Sequence, residues 1–140
     1  MMKYFTYALL PLLFLSSCSR NPATFISHVN GYWEIESVTL SNGTKRDYKI
    51  NQTIDYISIN DSFVGFRKKL KPLFDGSFET SNDAELLHLI IEKDSLNAYY
   101  KTPYSTWKET ILFASKQQLK VVNQNNDVYL YKRFTSINTQ

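Results

Sequence analysis

Gly31-Tyr32-Trp33-Glu34-Ile35-Glu36-Ser37-Val38-Thr39-Leu40 sets Trp33 and Ile35 against Glu34 and Glu36, the two-residue period of a half-buried β-strand. Beyond Glu36 the apolar positions move to Val38 and Leu40. That change of phase near Ser37 predicts a β-bulge. Ser41-Asn42-Gly43 follows as a turn signal.

The same rhythm continues outward from this stretch. Strands are expected at Gln52 to Asn60, Phe63 to Leu70, Ser77 to Thr80, Glu85 to Lys93, Leu96 to Lys101, Thr106 to Ser115, Leu119 to Asn123 and Val128 to Phe134. Turns are expected at Asn60-Asp61, at Pro72 and Asp75-Gly76, at Ser81-Asn82-Asp83, at Asp94-Ser95, at Lys116 to Gln118 and at Asn125 to Asp127. Leu86 to Ile91 is apolar on both faces, and its place before a hairpin turn favours a strand over a short helix. About eight strands joined by short hairpins predict an all-β fold, an antiparallel up-and-down barrel that closes on itself and leaves no exposed edge.

Bulk composition agrees. The chain of 140 residues is 43% hydrophobic and 15% aromatic, enough to fold as one domain. The aromatics are mostly Tyr and Phe, Ile, Val and Thr have a good share and Ala is scarce, which suits pleated strands. The formal charge is +3, too even a balance for the concentrated basic footprint of a nucleic-acid binder. The densest basic run, Arg67-Lys68-Lys69 with Lys71, reads as a solvated strand end or loop.

The first residues read differently. Lys3 precedes an uncharged apolar run from Tyr7 to Leu15, followed by small residues and Cys18, the layout of an export signal. The run is about half the roughly twenty residues a membrane-spanning helix needs, and Pro11 interrupts it. The expected divisions are a signal peptide at 1–17, a tether at 18–30, a barrel domain at 31–134 and a polar tail at 135–140. The tether is open to two readings, a disordered link or a short helical turn that plugs the domain. Cys18 is the single cysteine, so neither an intramolecular disulfide nor a thiolate metal cluster can form.

Leu15-Ser16-Ser17-Cys18 resembles the lipobox of bacterial lipoproteins. The resemblance implies diacylglyceryl on the Cys18 sulfur, cleavage between Ser17 and Cys18 by the lipoprotein-processing peptidase, and acylation of the new amine. Cleavage would remove Lys3 and leave 15 basic against 13 acidic residues. Each methylene buried in a bilayer contributes roughly 0.8 kcal/mol, so several chains on one residue hold firmly. No Asp adjoins Cys18 and no acidic cluster follows it, which makes a periplasm-facing outer-membrane lipoprotein the expected location.

Gly31-Tyr32-Trp33 resembles the Gly-x-Trp opening of lipocalin-like proteins, and Tyr129 to Phe134 resembles their closing strand. The resemblance implies that Trp33 packs at the closed end of the barrel under a basic side chain, Arg133 or Lys132. It also implies a small apolar or amphipathic ligand. Candidate lining residues are Tyr56, Phe66, Tyr100 and Trp107, from a wider aromatic set that includes Tyr99, Tyr104, Tyr129 and Tyr131. The alternative is a filled barrel with tyrosines at its rim, which docks an envelope partner through an exposed patch around Tyr99, Tyr100 and Tyr104.

Catalytic chemistry has little to stand on. There is no G-x-S-x-G elbow and no glycine-rich phosphate loop. His28 and His88 are the two histidines, too few for a zinc site, and they read as surface or hydrogen-bonded imidazoles. Glu34 and Glu36 read as solvated. No enzyme activity, cofactor or metal is expected, and the domain is expected to be monomeric. Asp94-Ser95-Leu96 resembles an O-glycosylation acceptor in some bacteria, although Ser95 also reads as a plain turn serine.

Overall fold

The computed structural model describes residues 21–136, so the expected cleavage and lipidation site at Ser17 and Cys18 lies outside the described residues. Ten strands follow one short helix, α1 (Ala23–Val29). They are β1 (Gly31–Thr39), β2 (Lys45–Asp47), β3 (Ile54–Ile59), β4 (Val64–Pro72), β5 (Phe78–Thr80), β6 (Glu85–Glu92), β7 (Ser95–Lys101), β8 (Thr106–Ala114), β9 (Gln118–Val122) and β10 (Val128–Arg133).

Neighbouring strands run β10-β9-β8-β7-β6-β4-β3-β1, and β10 pairs back onto β1, so eight antiparallel strands close a barrel. Two short strands are appended: β2 extends the edge of β1 and β5 pairs with β4. The phase shift seen in the sequence is a register shift between Ile35 and Ser37, where β1 meets β10. A second shift, between Ile111 and Phe113, lets β8 follow the curvature toward β9.

Partners across an antiparallel pair point to the same face. Trp33, fully buried, pairs with Asp55. Asp55 and Ile57 are therefore inward and Tyr56 outward. Arg67 pairs with Ile57 and with Glu85, and Leu87 with Tyr100, which fixes these four as inward. The apolar core collects Trp33, Ile57, Leu87, Leu89, Leu96 and Leu119 among others. It fills the end of the barrel where β1 begins and β10 finishes.

The stretch before Gly31 belongs to this core. Asn21 Oδ1 accepts the Ala23 amide at 3.0 Å and starts α1. Phe25 and Val29, four residues apart and so on one helix face, are 6% and 1% exposed. Phe25 meets Phe113 edge-on with centroids 5.9 Å apart. Of the two readings of the tether, the helical plug is the one the structure shows for residues 23–29, and the folded unit starts before Gly31.

One turn and one strand differ from expectation. The β6–β7 hairpin turns on Lys93 and Asp94, whose φ values of 46° and 65° give the doubly left-handed turn that matches strand twist. Ser95 is consequently not a turn residue; it is the first residue of β7 and pairs with Glu92. The β2 strand was not anticipated.

Candidate functional site

The plugged end is held by Arg133. Its guanidinium lies 3.7 Å above the centre of the Trp33 ring. Its nitrogens donate to four backbone carbonyls: Nη1 to Asn30 at 2.7 Å, Nη2 to His28 at 3.0 Å and Ser115 at 3.3 Å, and Nε to Lys116 at 3.0 Å. Trp33 Nε1 donates to the Val29 carbonyl at 2.8 Å. The helix, the first strand, the last strand and the β8–β9 turn thus meet at one planar fork, a geometry lysine cannot supply. Lys132 instead points outward, 3.9 Å from Glu34. Gly31 carries φ of +129°, and a β-carbon there would collide with Arg133 Nη1.

Toward the other end the interior turns from apolar to charged. Asp55, Arg67, Lys69, Glu85 and Glu109 share the inward face by register. Arg67 Nε donates to Glu85 Oε2 at 2.5 Å, and Nη1 lies 3.5 Å from Glu109 Oε2. The Arg67 guanidinium also sits 4.2 Å from the Tyr100 ring centre. Tyr100 stacks on Trp107, with centroids 5.4 Å apart and an angle of 15° between the rings. Lys69 Nζ forms an ion pair with Asp55 Oδ1 at 2.6 Å.

Burial sets the electrostatics of this layer. It would lower the Arg67 pKa, but Tyr100, Glu109 and Glu85 more than reverse the effect and hold it raised. Burial pushes the Tyr100 and Tyr131 hydroxyls up, and pushes the Glu109 carboxyl up against the opposing pull of Arg67. The reading of Arg67-Lys68-Lys69 with Lys71 as a solvated strand end or loop is corrected at Arg67, while Lys69 keeps a side chain that is 66% exposed. The period of two turns Arg67 and Lys69 inward and Lys68 outward, and the Arg67 side chain is only 16% exposed.

Above this charged layer the barrel opens. A recess of about 660 Å³ is bounded by Asp55, Arg67, Lys68, Lys69, Glu85, the loop before β6 and the 102–104 loop. Tyr104, 96% exposed, stands at its edge. Ile50 and Phe74, in the other loops at this end, are the remaining strongly exposed apolar side chains of the molecule's described residues, at 92% and 111%.

The four aromatics expected to line one pocket separate into two pairs. Tyr100 and Trp107 are inward. Tyr56 and Phe66 lie on the outer wall, in edge contact at 5.9 Å. Tyr56 stacks on Tyr32 at 4.7 Å, and Tyr32 on Phe78 at 5.1 Å. The Tyr99, Tyr100 and Tyr104 patch also divides: Tyr99 is on the outer wall, Tyr100 inside and Tyr104 at the mouth. A shallow groove of about 380 Å³ crosses the outer wall beside Val64, Leu86, His88 and Tyr99. His28 is half-buried and His88 exposed, and among the described residues no group of three or more His, Cys, Asp or Glu is placed to hold a metal. No helix of the described residues is long and apolar enough to cross a membrane.

Fold and site together define a small antiparallel barrel, plugged by a helix at one end and open through a charged mouth at the other. No protein-family model matches the sequence, and no curated protein matches it. Among solved structures, a lipocalin-like protein from Bacteroides uniformis is similar, with a TM-score of 0.49 and 10% identity, over 75% of this chain and 97% of that one. An uncharacterized protein from Bacteroides eggerthii is similar too, with a TM-score of 0.48 and 8% identity, over 75% of this chain and 98% of that one.

Proposed function

We propose that this chain is a small-molecule-binding barrel of lipocalin-like kind, held at the cell envelope by lipid on Cys18, and that its open end takes an amphipathic ligand. The carrying observation is the recess of about 660 Å³ over a layer of buried charge, with exposed Tyr104 at its edge. A filled, purely structural barrel has no use for such a layer: burying charges costs free energy that well-packed apolar side chains would avoid. Ligand sites, in contrast, combine an apolar boundary with a few fixed polar groups. The lipid anchor rests on the lipobox-like Leu15 to Cys18, and an outer-membrane, periplasm-facing location with a monomeric domain follows the same sequence reading.

Native mass spectrometry of the protein purified from its own cells tests the ligand: a bound small molecule is expected, and repeated recovery of the bare chain refutes it. Cys18→Ser tests the anchor. The variant is expected in the soluble fraction or as uncleaved precursor; a cleaved, membrane-bound Cys18→Ser product refutes the tether. A second reading, docking of an envelope protein, is favoured by the outer-wall groove, where Leu86 is 58% exposed.

A further inference from the structure

We infer that the ligand of the open end carries a cationic group, an ammonium or its like, which replaces Lys69 Nζ beside Asp55. The inference rests on the open end being the ligand site, and it goes on to name the chemistry that the site selects.

Three inward carboxylates, Asp55, Glu85 and Glu109, face two inward cations, Arg67 and Lys69. Arg67 is already committed. Its Nε is bonded to Glu85, its Nη1 faces Glu109 and its plane lies on Tyr100. A ligand anion would have to break those contacts to use it. Asp55 is in the opposite condition. It is 5% exposed, and its Oδ1 is held by a single ion pair. Only Lys69 approaches that oxygen, from a side chain that is 66% exposed at the mouth.

A buried carboxylate needs a cationic partner, and a ligand ammonium that reaches Asp55 can take over the pairing that Lys69 now provides. A lysine so exposed gains little from its ion pair and loses little by swinging into water. Once Lys69 leaves, Asp55, Asp83 and Glu85 on the lining outnumber Arg67 and Lys68, and the balance of the recess tips toward cations. Tyr104 and Pro103 on the same recess offer a face to an aromatic or alkyl portion. Lys69 thus acts as a built-in stand-in for the ligand's own cation.

Three small probes that differ only in charge separate the possibilities: benzylammonium, benzyl alcohol and benzoate, titrated calorimetrically into the full chain. Benzylammonium is expected to bind at least about tenfold more tightly than benzoate, a difference of about 1.4 kcal/mol. Lys69→Ala removes the internal competitor and is expected to tighten benzylammonium about five- to tenfold. Asp55→Asn is expected to erase the preference. A Lys69→Ala chain that binds benzylammonium no better than the wild type overturns the inference, as does a preference for benzoate. Benzyl alcohol and benzoate binding as well as the ammonium would leave the ligand site standing and remove its cation selectivity. Binding of none of the three at millimolar concentration would remove both.

Discussion

Replacing Arg133 by alanine is expected to undo the plugged end of the barrel. The side chain covers Trp33 at 3.7 Å, a partly desolvated cation–π contact of about 1 kcal/mol. Of its four carbonyl partners, those at Asn30 and Lys116 are exposed, and water can replace the guanidinium there. The bonds to His28 and Ser115 are partly buried. Bonds from a charged donor are worth about 1.5 kcal/mol or more each, so the two together contribute about 3 kcal/mol. Arg133→Ala should therefore cost about 4 kcal/mol, a large share of the roughly 5–15 kcal/mol that stabilises a domain. Arg133→Lys keeps a charge over the indole but only one or two of the bonds, and should cost about half as much. Urea unfolding followed by tryptophan emission measures both losses. Hydrogen exchange adds a local readout, because α1 should lose protection ahead of the strands. A loss below about 1 kcal/mol for Arg133→Ala, with α1 still protected, would refute the latch and leave the contacts of Trp33 and Val29 as the whole of the closure.

Other expectations follow from the same structure. Phe25→Ala removes a buried ring from the plug and should cost about 3–4 kcal/mol in urea unfolding, with m unchanged. Gly65→Ala places a β-carbon onto the Ser58 carbonyl oxygen, where β3 and β4 pass too closely for any side chain, so loss of cooperative unfolding in circular dichroism is expected. Burial raises the Glu109 pKa in the folded chain, so the folded form keeps its proton to higher pH than the unfolded form. Its charged state therefore weighs against folding at neutral pH, and acidification through the folded pKa relieves that cost. Glu109→Gln should be more stable than wild type at pH 7 by urea titration, and the difference should shrink toward pH 4; a difference that grows on acidification would contradict the sign.

The strands were legible because one face of each is apolar, and alternation survives without knowledge of the partners. The bulge at Ser37 showed for the same reason: an extra residue shifts the phase. Lys45–Asp47 gave no such signal, since all three residues are exposed and its pairing comes from the turn before it. Seven residues of α1 are too few to display a helical period, and Phe25 with Val29 marks only one face. The charged layer was hidden more deeply. Alternation places Arg67 and Lys69 together and Lys68 apart, but which parity faces inward depends on register with Ile57 and Glu85, 10 and 18 residues away in the chain. Tyr56 and Phe66 were grouped with Tyr100 and Trp107 for the same reason: aromatic character does not state a side of the sheet. A signal was nonetheless present, since a strand run whose charges repeat at i and i+2 has to send charge to one face or the other.

Among the described residues, the docked helix closes one end of the barrel and leaves the recess at the other. Whatever enters between the 81–84 and 102–104 loops must leave by the same route, past Tyr104. Exchange with solvent is then governed by those two loops, and occupancy can be made long-lived by stiffening them without altering a single contact at the bottom.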